Sequence, residues 1–187
     1  MTDTDIILFF RDKPVIETSR LMLVPPSKKY VSDMFEYCSS DEVTKFVTWN
    51  RHTDISVTKK YVSKLCRKAR RGLCTEWFMT EKDTGKMIGT CGFVSIDAVN
   101  RRGEIGYAMN PAYRGNGYMT EAVKAVISFG FSKLGLIRIE AKHVVENVKS
   151  GNVMARAGMK REGVLRRYMA VKGENRDIAI CSIISGE

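Results

Sequence analysis

Asn110-Pro111-Ala112-Tyr113-Arg114-Gly115-Asn116-Gly117-Tyr118-Met119-Thr120-Glu121 decides how the rest of the chain is read. The alternating run Glu104 to Met109 leads into it, and Val123, Val126, Ile127, Gly130, Phe131 and Leu134 follow at the spacing of a helix with one apolar face. The order is strand, glycine-containing loop, helix. Such a loop leaves the first N–H groups of the helix without intrahelical partners, and the helix dipole favours an anion there, so a phosphate or pyrophosphate fits chemically. Arg114 can add a cation, while Gly115 and Gly117 allow positive φ and close approach of the backbone to a ligand. An ordinary strand-to-helix turn uses glycine in the same way, and the loop alone leaves both readings open. Stricter nucleotide signatures are absent: there is no Gly-x-x-x-x-Gly-Lys-Ser/Thr, and Gly115-x-Gly117 lacks the third glycine of the dinucleotide fingerprint.

A length of 187 residues suits one domain with a sizeable core, and 44% hydrophobic with 28% charged residues is the composition of a soluble globular protein. Residues 1–16 read as an N-terminal arm ordered by Ile6 to Phe10, and residues 17–187 as a single domain. The run Ile6-Ile7-Leu8-Phe9-Phe10, preceded by Asp3 and Asp5, is too short and wrongly flanked for a signal peptide or a membrane span, so a cytoplasmic protein with no membrane partner is expected. Cys38, Cys66, Cys74, Cys91 and Cys181 are scattered, with no Cys-x-x-Cys, which favours reduced buried thiols and no metal. The net charge of +10 points to acidic partners. Much of it lies in Lys59, Lys60, Lys64, Arg67, Lys68, Arg70 and Arg71, and in Lys160, Arg161, Arg166 and Arg167. Either cluster can be a solvated face. Without interleaved aromatics, nucleic acid is expected only as an indirect partner of a basic face.

The periodicity predicts a short strand at 20–24, a helix from Ser27 carrying Tyr30, Met34 and Phe35, and an irregular aromatic segment from Asp41 to Thr53. It then predicts a basic helix capped by Asp54 or Ser56, with Val57, Tyr61, Val62, Leu65, Cys66 and Ala69 inward. Strands at 77–79, 87–94 and 104–109 precede the loop. After the long helix come a strand at 137–144, a helix from Asn147 to Ala157, and two strands joined by a turn at Lys172 to Asn175. The sum is a mixed sheet with helices on its faces.

Several separated motifs agree with one family. Glu17-Thr18-x-Arg20-Leu21-x-Leu23, Gly103-Glu104-Ile105-Gly106-Tyr107, Arg114-x-x-Gly117-Tyr118, Thr120-Glu121-Ala122, Arg138-Ile139-Glu140-Ala141, Asn147-x-x-Ser150 and Gly158-Met159-x-x-Glu162-Gly163 stand in its order and spacing. The chain resembles the GNAT superfamily of acetyl-CoA-dependent N-acetyltransferases, in particular the branch that acetylates the N-termini of ribosomal proteins. The resemblance spans about residues 17–184 and implies an α/β fold. Its sheet would be mixed, mostly antiparallel and centrally splayed, with about four flanking helices. Met119 departs from the pattern, standing where the family has a small residue. Met169 departs too, where one enzyme of the branch places a carboxylate.

The resemblance implies direct attack of an amine on the thioester of acetyl-CoA. Backbone N–H groups of Arg114, Gly115, Asn116, Gly117, Tyr118 and Met119 would hold the pyrophosphate, and Tyr107, Ala108 and Met109 would pair with the pantetheine arm, with an N–H near Met109 as oxyanion donor. Asn147 resembles the asparagine that contacts that arm, and Ser150 the serine that protonates the leaving sulfur; both residue types also cap helices. Among the carboxylates Glu104 is the first candidate base and Glu140 the runner-up, with a water chain as the alternative to both; a glutamate at a strand end is also commonly solvated or salt-bridged. The demand on the base depends on the acceptor: at neutral pH an α-amine costs about 1 kcal/mol to deprotonate, a lysine about 4.6 kcal/mol. The leading expectation is acetylation of a protein α-amine, with a ribosomal protein as acceptor. A small amine such as an antibiotic, polyamine or amino acid is the alternative within enzymes, and a non-catalytic acyl-CoA sensor the alternative outside them. Oligomeric state, monomer or homodimer, is not written in the sequence.

Overall fold

The structure, a computed structural model, describes residues 1–186. Eight strands make one sheet: β1 (Ile16–Glu17), β2 (Leu21–Val24), β3 (Glu76–Glu81), β4 (Met87–Asp97), β5 (Arg102–Met109), β6 (Arg138–Val144), β7 (Lys160–Val171) and β8 (Glu174–Ile184). Their order across the sheet is β1-β2-β3-β4-β5-β6-β8-β7, and every neighbouring pair is antiparallel except β5 and β6. That parallel pair is short. It runs from Arg102 opposite Arg138 to Ile105 opposite Ala141, after which β5 continues to Met109 and β6 to Val144 without pairing to each other. The sheet therefore splays open at its centre.

Period-2 alternation sends successive side chains to opposite faces, which gives two cores. Helices α1 (Asp3–Arg11), α5 (Tyr118–Leu134) and α6 (Val148–Arg156) cover one face, where Phe10, Trp77, Met79, Phe93, Val126, Ile139 and Met154 pack together. Helices α2 (Val31–Cys38) and α4 (Ile55–Arg70) cover the other, over Met34, Tyr37, Val62, Leu65, Phe78 and Met87. Each fully buried large side chain is worth about 2 kcal/mol of transfer free energy, so neither layer is dispensable. The expected fold class is observed: a mixed, mostly antiparallel sheet with helices on both faces.

The four expected helices are α2, α4, α5 and α6, and two more are present. Residues 3–11 form α1, because Thr2 and Asp5 make a capping box and Ile6 and Phe10, one turn apart, reach the first core. The four-residue helix α3 (Asp41–Thr44) interrupts the aromatic segment. The apolar face of α4 is rotated from the expectation: Val57 and Tyr61 are each 40% exposed, and Thr58 takes an inward place beside Val62 and Leu65. The final hairpin is tighter than expected. Its turn is Lys172-Gly173, both at positive φ, and β7 and β8 run up to it on either side.

Candidate active site

The loop after β5 is built as the sequence implies. Asn110 Oδ1 accepts from Ala112 N at 3.0 Å to start a short turn at Pro111–Tyr113, and Gly115 and Gly117 follow at φ +85° and +79°. Gly117 caps α5 with no side chain, so the first N–H groups of the helix face the loop, and residues 115–117 are exposed. That combination fits a pyrophosphate. Met119 does not obstruct it, because its side chain turns inward and is only 4% exposed within the first core. Arg114 points elsewhere: its guanidinium pairs with Glu42 of α3, which also receives Lys149 Nζ at 3.1 Å.

The opening between β5 and β6 places Tyr107, Ala108 and Met109 on a strand edge with no ladder partner on the β6 side. An extended thiol-bearing arm can add to that edge as a strand would. Asn147 accepts from Ser150 N at 3.4 Å and so caps α6. Ser150 Oγ donates to Tyr107 Oη at 3.1 Å, and Tyr107 Oη donates to the Ser150 carbonyl at 2.9 Å. Burial pushes the Tyr107 phenol above its ordinary range, so it stays protonated at neutral pH.

One cleft of about 610 Å³ connects this opening to the far face of the sheet. Tyr107, Asn147 and Ser150 line one end; Tyr37, Trp49, His52 and Tyr61 line the other, with Lys64, Lys68 and Glu76 beside them. His52 Nδ1 lies 2.8 Å from Thr58 Oγ1, and burial lowers its pKa, so the ring is a neutral wall against Trp49 and Tyr61. A second groove of about 530 Å³ along α5, lined by Lys124, Ile127 and Phe131, shares no residue with the cleft and holds no carboxylate among the described residues.

Of the two expected bases Glu104 lines the cleft, Glu140 pairs opposite it on β6 short of the opening and does not line the cleft, and both are engaged. Glu104 Oε2 accepts from Lys142 Nζ at 2.7 Å, while Glu140 takes Arg138 Nε at 3.2 Å and lies 3.8 Å from Lys142. Burial works against the charge on Lys142, but the bond to Glu104 outweighs it and raises its pKa. A carboxylate in such a pair must give it up to take a proton. Glu76 is the carboxylate in the cleft that the motifs did not single out. A lone acid before Trp77 carries no local signal, and only the sheet register places it.

The sequence profile of the family described as "Acetyltransferase (GNAT) domain" matches residues 20–160. The chain is 34% identical over 173 residues to an uncharacterized N-acetyltransferase, YoaA, of Bacillus subtilis, covering 91% of this chain and 97% of that one. A more distant relative is the spermidine N(1)-acetyltransferase of Escherichia coli, 31% identical over 105 residues and covering 56% of each chain. The crystal structure of a GNAT-family acetyltransferase from Bacillus anthracis superposes with a TM-score of 0.83 at 27% identity, covering 93% of this chain and 100% of that one. An uncapped glycine loop, a splayed parallel pair and a polar serine beside the gap have a use together in holding an acyl thioester. With that match over most of its length, the chain belongs to the GNAT family and is an N-acetyltransferase.

Proposed function

We propose that this enzyme acetylates the α-amine of a polypeptide N-terminus in the cytoplasm, with a ribosomal protein as the leading acceptor. The observation that carries the reading is the charge of the acceptor side. Lys64 and Lys68 of α4 and Lys142 of β6 line the cleft against two carboxylates, and Glu104 is already spent on Lys142. A polyamine would bring several positive charges against that excess, whereas an α-amine followed by neutral or acidic residues would not. The spermidine enzyme's acceptor is therefore not carried over. The exposed basic face of α4 is available to dock such a substrate close to RNA.

Acetyl-CoA supplies a thioester carbon open to attack. Backbone N–H groups of residues 114–119 would hold its pyrophosphate, and Tyr107, Ala108 and Met109 would align its arm. An N–H near Met109 would polarise the carbonyl. Ser150, with the protonated Tyr107 behind it, would return a proton to the departing sulfur.

Thiol release measured against a panel of N-terminal peptides, spermidine, amino acids and aminoglycosides tests the acceptor. Peptides with a free α-amine are expected to be turned over and their N-acetylated forms not. Faster turnover of spermidine than of any peptide would overturn the reading, and tight acetyl-CoA binding with no turnover of any amine would favour a sensor.

A further inference from the structure

We infer that Glu76 is the carboxylate that receives the acceptor's ammonium group and takes its proton before attack. This rests on the amine-acetylation reading above, but not on the acceptor being a peptide. Glu76 sits opposite Gly92 of β4, and Gly92 opposite Gly106 of β5, so the three residues form a row that ends at the opening beside β6. The row spans two strand spacings, about 10 Å, and neither glycine puts a side chain in the path. Gly92 does more than leave space. A Cβ there would lie 2.5 Å from Glu76 Cα and 2.5 Å from the Thr75 carbonyl oxygen, so its absence lets the start of β3 lean over β4.

The surroundings suit a cation that arrives with the substrate. Glu76 lies mostly buried in the cleft, and among the described residues it makes no ion pair, in contrast to Glu104 and Glu140. The Thr90 hydroxyl lies beside it, and the aromatic rings of Tyr37, Trp49 and Tyr61 share its cleft. The titratable groups that face it are Lys13, Lys68, Tyr37, Tyr61, Cys38, Cys74 and Cys91. Burial raises its pKa, with Thr90, Lys13 and Lys68 working against the rise, and a raised carboxyl is the better matched base near neutral pH. A buried carboxylate without an ion-pair partner is costly, and such groups gather at sites that use them.

The protons balance. The ammonium gives its first proton to Glu76, which passes it to solvent. The freed lone pair forms the C–N bond as the C–S bond breaks, and the sulfur takes a proton from Ser150, which is restored by the second N–H proton. The products are the acetamide, the free thiol and one proton.

The test compares the wild type with Glu76→Gln and Glu76→Asp, using an alanine-initiated peptide and ethylamine as acceptors and following thiol release from pH 6 to 9.5. Glu76→Gln should lower kcat/KM about 100-fold at pH 7 for whichever acceptor the wild type uses. The deficit should shrink above the amine's own pKa, where free amine needs no base. Glu76→Asp should recover part of the loss, and acetyl-CoA affinity by calorimetry should be unchanged in both. Activity on ethylamine but not on the peptide removes the peptide reading and leaves this one under test. In parallel, the carboxyl ¹³C resonance missing from Glu76→Gln should titrate above the ordinary glutamate range and move when ethylamine is added, a readout that needs no turnover. Wild-type kcat/KM across the pH range, or a resonance indifferent to amines, overturns the inference.

Discussion

Glu121 Oε2 accepts from Arg20 Nε at 2.8 Å, and Arg20 Nη1 reaches on to the Asn116 carbonyl at 2.9 Å. The first turn of α5 is thereby tied to the loop before it. Thr18 Oγ1 and Arg20 N complete the clamp on Glu121 Oε1 at 2.6 and 2.9 Å. Burial opposes ionisation of Glu121, but the bonds from Thr18, Arg20 and Ser19 outweigh it and hold its pKa at about 2 against an ordinary 4.5. A depressed carboxyl contributes stability that is full above its unfolded pKa and is lost as pH falls through the folded value. With Arg20 about half exposed, solvent screening reduces the contribution to about 1–2 kcal/mol. Glu121→Gln should therefore unfold earlier in urea at pH 7, with the gap closing between pH 4.5 and 2, and should raise the KM for acetyl-CoA severalfold.

Under the proposed function Ser150 and Tyr107 act at the sulfur, so their loss should appear in kcat and not in acceptor KM. Ser150→Ala is expected to lower kcat about 10- to 100-fold, and Tyr107→Phe by a smaller factor because Ser150 remains. Stopped-flow thiol release separates this from acetyl-CoA binding. An acceptor KM that rises with kcat unchanged would place both residues outside the proton path.

The loop and the Asn147–Ser150 turn were legible because each needs a particular residue at a particular place, whereas the splay of β5 from β6 was implied only by the family resemblance. Gly115 and Gly117 adopt positive φ, and Asn147 caps a helix whose third residue, Ser150, faces the gap. Helix α1 was missed although its signal, Thr2 with Asp5 three residues on, was present; a nine-residue helix needs tertiary contacts to persist, and those to Trp77 and Phe129 are invisible in the sequence. The face of α4 was misplaced because Thr58 counts as polar in the pattern, yet it is buried by its bond to His52. Glu76 could not be found from local sequence, since its meaning comes from a register running through two other strands.

Lys13 tests the packing behind β3. Its Nζ donates to the Cys74 and Glu76 carbonyls at 3.0 and 2.5 Å and lies 4.1 Å from the Trp77 ring centre. Burial lowers its pKa from 10.5 to about 8. A depressed lysine gives its stability contribution in full above its unfolded pKa and loses it as pH falls through the folded value. The stability of the wild type relative to Lys13→Met should thus rise by about 2 kcal/mol between pH 7 and pH 10, read from urea midpoints. A flat difference would mean that Lys13 is not desolvated.

The acceptor-side lysines set a specificity prediction. Reversing Lys64 and Lys68 to glutamate removes two positive charges from the cleft and adds two negative ones, without touching the paired Glu104. The variant should raise the KM for an acidic N-terminal peptide about tenfold and lower that for spermidine, and both effects should weaken in 0.5 M salt. Unchanged preference would remove the charge argument for the acceptor.

The same burial that suits Glu76 to take a proton works against the fold. A carboxyl whose pKa is raised in the folded state contributes stability that is full below its unfolded pKa and is lost as pH rises through the folded value. At neutral pH the wild type carries that loss, and Glu76→Gln, which keeps the shape and the bond to Thr90, does not. The variant should melt about 3 °C higher at pH 7.5 and no higher at pH 4, a difference that scanning calorimetry reads directly. Gain in stability together with loss of kcat/KM is the mark of a group kept for chemistry. A variant that lost both would instead make Glu76 a structural residue of β3.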